Sequence, residues 1–127
     1  MRRPHVQVVI GDPESQPGDL VVLPAREASV REPRTVLVAA PRWELAGGSE
    51  VALANAYRAA VAAATQRNAR SLVLPAVLAR GPWPLDDVVR IAMTVLMSTP
   101  STTEEITIAV PTGAVLEPWA EALLREP

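Results

Sequence analysis

Residues 70–97 constrain the fold more than any other stretch, because an apolar strand, a glycine-bearing loop and an amphipathic helix follow one another directly. Residues 71–77 are short and apolar after the first serine, which predicts a buried strand. Residues 78–84 contain Gly81 and predict a loop. From Leu85 onward, apolar residues recur at spacings of three and four, which predicts one buried face of a helix. This succession brings backbone N–H groups and a helix N-terminus together, and that arrangement suits an anion.

An ordinary strand–helix connection explains the same pattern, since this unit occurs on folds of many functions. Asp86 and Asp87 fall in the first turn of the predicted helix, where they stabilise the helix dipole. They also place negative charge where a phosphate would lie. The pattern alone therefore favours the ordinary connection over an anion site.

The remaining elements predict a single α/β domain over residues 1–127. The first two predicted strands have no room between them for a helix, whereas strands alternate with helices from residue 35 onward. This order predicts a mixed sheet with helices on its faces, in an α/β or an α/β/α arrangement, and of these we expect the three-layer α/β/α sandwich. The other predicted elements are strands at 6–10, 19–23, 35–40 and 105–110, and helices from Ser49 to about residue 67 and from about residue 116.

Composition excludes several kinds of site. The chain has no cysteine and one histidine, His5, which excludes disulfides, thiol catalysis and the usual metal ligand sets. A formal net charge of −2 with scattered arginines argues against nucleic-acid binding. No apolar stretch approaches the roughly 20 residues that span a membrane. We therefore expect a cytoplasmic protein with no metal, no cofactor, no nucleic-acid partner and no membrane partner.

Several motifs, taken in order, carry a family resemblance. VVIGDPES forms a first strand with a Gly-Asp turn, and RTVLVAAPRW with GGSEVALANAYRAAVAAA forms a central strand and its helix. RSLVLPAV with GPWPLDDVVRIAMTVL forms a strand, a loop and a second helix, and ITIAVPTGAVLEPWAEALL closes the chain. This ordered set resembles the macro domain, the family that binds ADP-ribose and related metabolites. The resemblance spans most of the chain and is clearest from residue 34 to residue 124.

The resemblance implies a ligand site made by Gly11, Asp12, Arg80, Gly81 and Trp83. Asp12 matches the aspartate that accepts a hydrogen bond from the adenine amino group. Gly81 matches the loop that wraps the diphosphate, where backbone N–H groups bind phosphate oxygens. Trp83 takes the place of an aromatic residue that precedes a proline. The implied ligand is ADP-ribose or a related nucleotide metabolite.

The sequence departs from the family pattern after the second strand. Leu23, Pro24, Ala25 and Arg26 stand where the family has Asn-Ala-Ala-Asn and then a glycine-rich loop, which the family's hydrolases use to place the distal ribose. Pro82 also removes an N–H donor from the second loop. Each lost charge-assisted hydrogen bond costs about 1.5–3 kcal/mol, so the loss of several would move a micromolar site to the millimolar range. We therefore expect binding without efficient hydrolysis and assign no catalytic residue.

Two alternatives remain open at the sequence level. The chain could be an interaction or structural module without a nucleotide ligand, exposing Trp43 and Trp83 to a partner or to a second copy in a homo-oligomer. It could also retain hydrolase activity through Arg26, Glu27 or Arg80 in substitute roles, although no spacing demands this.

Overall fold

The computed structural model describes residues 3–24, 33–39, 41, 48–78 and 83–125. These residues form five strands in the order β1-β5-β4-β2-β3, three α-helices and one short 3₁₀ helix. None of the described helices is long and apolar enough to span a membrane. The elements are β1 (His5–Ile10), a 3₁₀ helix (Pro13–Ser15), β2 (Leu20–Pro24), β3 (Thr35–Val38), α1 (Ser49–Gln66), β4 (Ser71–Pro75), α2 (Leu85–Ser98), β5 (Glu105–Val110) and α3 (Gly113–Arg125).

All four strand pairings that the structure describes are parallel. The α/β class is confirmed, but the prediction of a mixed sheet is wrong for these strands. The expectation arose because no helix fits between the first two strands. Those strands are not neighbours, and residues 11–19, the crossing segment, lead from the carboxyl end of β1 to the amino end of β2. Nine extended residues reach about 30 Å, whereas three strand spacings and one strand length require only about 22 Å.

The three α-helices pack side by side against one face of the sheet, where α1 contacts α2 and α2 contacts α3. Their apolar residues form one core with strand residues such as Leu20, Leu72 and Ile106. On the opposite face, the 3₁₀ helix of the crossing segment contacts β4 and β5. The described residues thus form a central sheet flanked by helices, as the sequence predicted, with the three α-helices on one face and the 3₁₀ helix on the other.

Arg34 holds the crossing segment in place through three backbone carbonyls. Its Nη1 donates to the carbonyl oxygens of Gln16 at 2.8 Å and Gly18 at 3.1 Å, and its Nη2 donates to that of Glu14 at 2.6 Å. Hydrogen bonds from a charged donor are roughly twice as strong as neutral ones. Arg34, the residue immediately before β3, therefore holds the crossing segment in its observed path.

Gly18 lies so close to the sheet that a larger residue should not fit. A Cβ atom built there would lie 2.7 Å from Cγ2 of Val73, which is fully buried. We expect Gly18→Ala to lower the free energy of unfolding by about 1–3 kcal/mol, measured by urea denaturation, because either the segment or the strand must move.

The matched control is Gly113→Ala at the start of α3, where a Cβ atom would have no neighbour within 4 Å. This variant should remain within about 0.5 kcal/mol of the original protein. Equal stability of the two variants would contradict the close packing of Gly18.

Candidate functional site

The parallel sheet brings the carboxyl ends of β1, β4 and β5 to one rim. The chain leaves β1 along the crossing segment on one face, and it leaves β5 into α3 in the helical layer on the other. In open α/β sheets, ligands bind where neighbouring connections run to opposite faces. The sheet topology therefore points to the rim beside β1 and β5.

A cavity of about 700 Å³ lies at this rim. Its volume falls within the range of roughly 300–1,000 Å³ that is usual for small-molecule sites. The turn after β1 and the residues after β4, which are distant in sequence, meet across it. The described residues that line it are Gly11, Asp12, Pro13, Pro75, Ala76, Val77, Leu85, Ala109, Pro111 and Val115.

Asp12 is the one charged side chain among the described residues that line the cavity. The other walls are proline, alanine, valine and leucine side chains together with the Gly11 backbone. Ligand pockets commonly combine apolar walls with a few placed polar groups that orient the ligand. This lining suits a flat apolar group that carries a hydrogen-bond donor for the carboxylate.

The turn that carries Asp12 is held by local hydrogen bonds. Asp12 Oδ1 accepts from the Glu14 N–H at 3.1 Å and caps the 3₁₀ helix, and the Asp12 carbonyl accepts from the Ser15 N–H at 3.1 Å. Gly11 has a φ of +153°, and a Cβ atom there would lie 2.6 Å from Gln16 Nε2. The positive φ therefore favours glycine before Asp12, and the capped turn holds the exposed carboxylate at the cavity.

The wall after β4 is anchored to the helical layer through Leu78. Its side chain is fully buried, and its N–H donates to the hydroxyl oxygen of Tyr57 at 3.3 Å. Burial raises the pKa of the Tyr57 hydroxyl above its ordinary value, although the hydrogen bond from Leu78 acts in the opposite direction. The hydroxyl therefore stays neutral and acts as a structural group.

The structure places the predicted site residues in different surroundings. Gly11 and Asp12 line the cavity, whereas Arg80 and Gly81 lie outside the described residues. Trp83 is only 9% exposed and belongs to the core, and its Nε1 donates to the Pro41 carbonyl at 3.3 Å. The expectation that Trp83 is exposed is therefore wrong, because its ring faces the interior. The other residues to which the sequence assigned a role but which lie outside the described residues are Ala25, Arg26, Glu27, Trp43 and Pro82.

Sequence reasoning missed most of the apolar wall. Val77, Leu85 and Val115 line the cavity, yet in the sequence they match ordinary core positions of a strand and two helices. Only their positions could have indicated a role in the cavity, because Val77 follows the end of a strand, and Leu85 and Val115 lie in the first turn of a helix. Within the described part of the chain, no group of three or more His, Cys, Asp or Glu residues could hold a metal ion.

Neither a family model nor a curated protein matches this chain. Comparison with solved structures did find similar folds. The macrodomain of Oceanobacillus iheyensis with ADP is 14% identical, with a TM-score of 0.78, covering 94% of this chain and 90% of its own. A mutant of that macrodomain with ADPR is 13% identical, with a TM-score of 0.76, covering 94% and 91%.

A third structure extends the likeness beyond that organism's protein. The macro domain of ganglioside induced differentiation associated protein 2 is 15% identical, with a TM-score of 0.77, covering 94% of this chain and 82% of its own. The TM-scores of 0.76 to 0.78, each over 94% of this chain, describe the same overall fold in all of these comparisons. This chain therefore has the macrodomain fold.

Proposed function

We propose that the cavity at the carboxyl rim binds ADP-ribose or a related nucleotide metabolite. The observation that carries the proposal is that the Asp12 turn and the residues at the end of β4 line one open cavity of about 700 Å³. Two of the similar macrodomain structures contain ADP and ADPR, which supports the same ligand class here.

The cavity chemistry favours the adenine end of such a ligand. An adenine ring can pack its faces against Pro111 and Val115 while its amino group donates to the Asp12 carboxylate. Asp12 Oδ1 already accepts from the Glu14 N–H, so Oδ2 is the atom for the adenine amino group. A hydrogen bond to an ionised acceptor in this partly apolar site contributes about 1.5–3 kcal/mol.

The diphosphate would lie toward the start of α2. Leu85 is both the first residue of this helix and part of the cavity wall, so the helix N-terminus opens beside the cavity. Pro84 has no side-chain acceptor for the first N–H groups, which leaves them for phosphate oxygens. Asp86 and Asp87 in the first turn repel the same phosphates. We therefore expect the nucleoside to contribute more affinity than the diphosphate.

The same site is proposed to bind its ligand without efficient hydrolysis. Pro24 is buried at the end of β2, and Leu23 and Pro24 supply no side-chain amide where the family has asparagine. Among the described residues that line the cavity, Asp12 is the one ionisable group, and its proposed partner is the adenine. We expect no release of ADP-ribose from an ADP-ribosylated protein at stoichiometric concentrations of this chain.

A tryptophan placed in the cavity wall tests the binding proposal directly. Val115→Trp adds an indole to the wall, so we expect it to weaken ADP-ribose binding at least about tenfold in calorimetry. Val115 is partly exposed, which allows the fold to accept the larger side chain.

The matched control is Ala114→Trp, one residue earlier in α3, where the side chain is exposed and does not line the cavity. This control should bind as the original protein does. No heat from the original protein at millimolar ADP-ribose, or equal binding by both tryptophan variants, would overturn the proposal.

A further inference from the structure

We infer that Tyr57 and Trp83 are positioning residues that anchor the chain on either side of residues 79–82 and so preform two walls of the cavity. The inference rests on the proposed function for its ligand, but it concerns residues that do not line the cavity. It rests on two hydrogen bonds: a buried one that holds Leu78 against α1, and a partly buried one that holds Trp83 against the chain that follows β3.

The first anchor is the hydroxyl of Tyr57 in the middle of α1. The whole side chain is buried, and its oxygen accepts from the Leu78 N–H at 3.3 Å. Among the described residues this oxygen is the one acceptor found for the Leu78 N–H, and proteins rarely leave a buried N–H without a partner. Ala76 and Val77, immediately before Leu78, form part of the cavity wall. Tyr57 therefore holds this part of the cavity wall in place from α1.

The second anchor is the indole of Trp83, two residues before α2 begins. Its ring is 9% exposed and packs within the core, and Nε1 donates to the Pro41 carbonyl at 3.3 Å. Pro41 follows β3, so this hydrogen bond joins the residues before α2 to the chain that follows this edge strand. Leu85, the first residue of α2, lines the cavity. Trp83 therefore holds the part of the cavity wall that Leu85 forms.

Together the two anchors reduce the cost of ligand binding. A ligand that ordered these walls itself would lose part of its binding free energy to that ordering. Tyr57 and Trp83 supply the order in the free protein, since both contacts are internal to the chain. Loss of either anchor should therefore weaken binding without removing any contact to the ligand.

Tyr57→Phe tests the first anchor because it removes only the hydroxyl. We expect amide hydrogen exchange of residues 76–78 to become about tenfold faster relative to residues 71–74 of β4. We also expect ADP-ribose affinity to fall about fivefold, which corresponds to about 1 kcal/mol. Unchanged exchange at residues 76–78 would overturn the role of Tyr57.

Val61→Ala is the matched control, since Val61 lies one turn further along α1, is 2% exposed and does not bond to Leu78. It should lower stability while leaving the relative exchange of residues 76–78 and the affinity unchanged. If Val61→Ala reproduces the effects of Tyr57→Phe, the effect is general destabilisation and the inference fails.

Trp83→Phe tests the second anchor independently, because it keeps an aromatic ring in the core and removes the N–H. Faster exchange at residues 83–88, with a similar fall in affinity, is the expected result, and unchanged exchange would overturn it. If the original protein binds no ADP-ribose, the proposed function fails, whereas the exchange of both variants still decides whether the anchors exist.

Discussion

Replacing Asp12 with alanine is expected to weaken ADP-ribose binding by about 10- to 100-fold in calorimetry. The substitution removes the one charged acceptor among the described residues of the cavity wall. A charge-assisted hydrogen bond contributes about 1.5–3 kcal/mol, and each 1.4 kcal/mol changes affinity tenfold. It also removes the cap that accepts from the Glu14 N–H, so the turn itself loses a hydrogen bond.

Two controls separate these effects of Asp12→Ala. Asp12→Asn keeps an oxygen acceptor for the Glu14 N–H but removes the charge, so it should lose affinity and retain the turn. Ser15→Ala changes an exposed residue of the same 3₁₀ helix that does not line the cavity, and it should bind normally. Equal heats from Asp12→Ala and the original protein would remove Asp12 from the site.

Replacing Trp119 with alanine is expected to lower the free energy of unfolding by about 3–5 kcal/mol in urea denaturation. Trp119 is fully buried in the core that α3 shares with the sheet, and its removal leaves a large cavity. Typical domains are stable by about 5–15 kcal/mol, so this variant would lose a large fraction of its stability. Thermal unfolding should show a correspondingly lower midpoint.

Trp119→Phe is the informative control, because the buried indole Nε1 has no hydrogen-bond partner among the described residues. Phenylalanine therefore loses volume but no hydrogen bond, and it should cost much less than alanine. If phenylalanine and alanine are equally destabilising, the indole N–H has a partner, and the polar contact rather than the volume determines the stability at this position.

Local patterns predicted the types of element with useful accuracy. The three- and four-residue spacing from Leu85 predicted the helix observed at Leu85–Ser98, and the apolar run from residue 71 predicted β4. Pro118 misled the prediction for α3, which begins at Gly113 rather than near residue 116. Proline at this position removes the hydrogen bond to the Ala114 carbonyl and crowds that oxygen, but Ala114 is exposed, so water can satisfy the oxygen.

The sequence also predicted part of the candidate site. The glycine and aspartate after the first strand predicted a turn, and both residues line the cavity. Their role as ligand-binding residues came from the ordered resemblance to macro domains rather than from any single motif, and it stays a prediction. Trp83 was predicted in a loop beside the ligand, but nothing local to the sequence indicates whether such a ring faces solvent or core.

The sequence by itself determined where most strands and helices form, because hydrophobic periodicity and turn residues act over a few neighbouring positions. Only the tertiary structure decided that the described strands are all parallel and that the turn at Asp12 lies across one cavity from the end of β4. It also decided that Tyr57 contacts Leu78, 21 residues away. These features depend on strand order and on which faces pack together, and the physical interactions that select them join residues far apart in the chain.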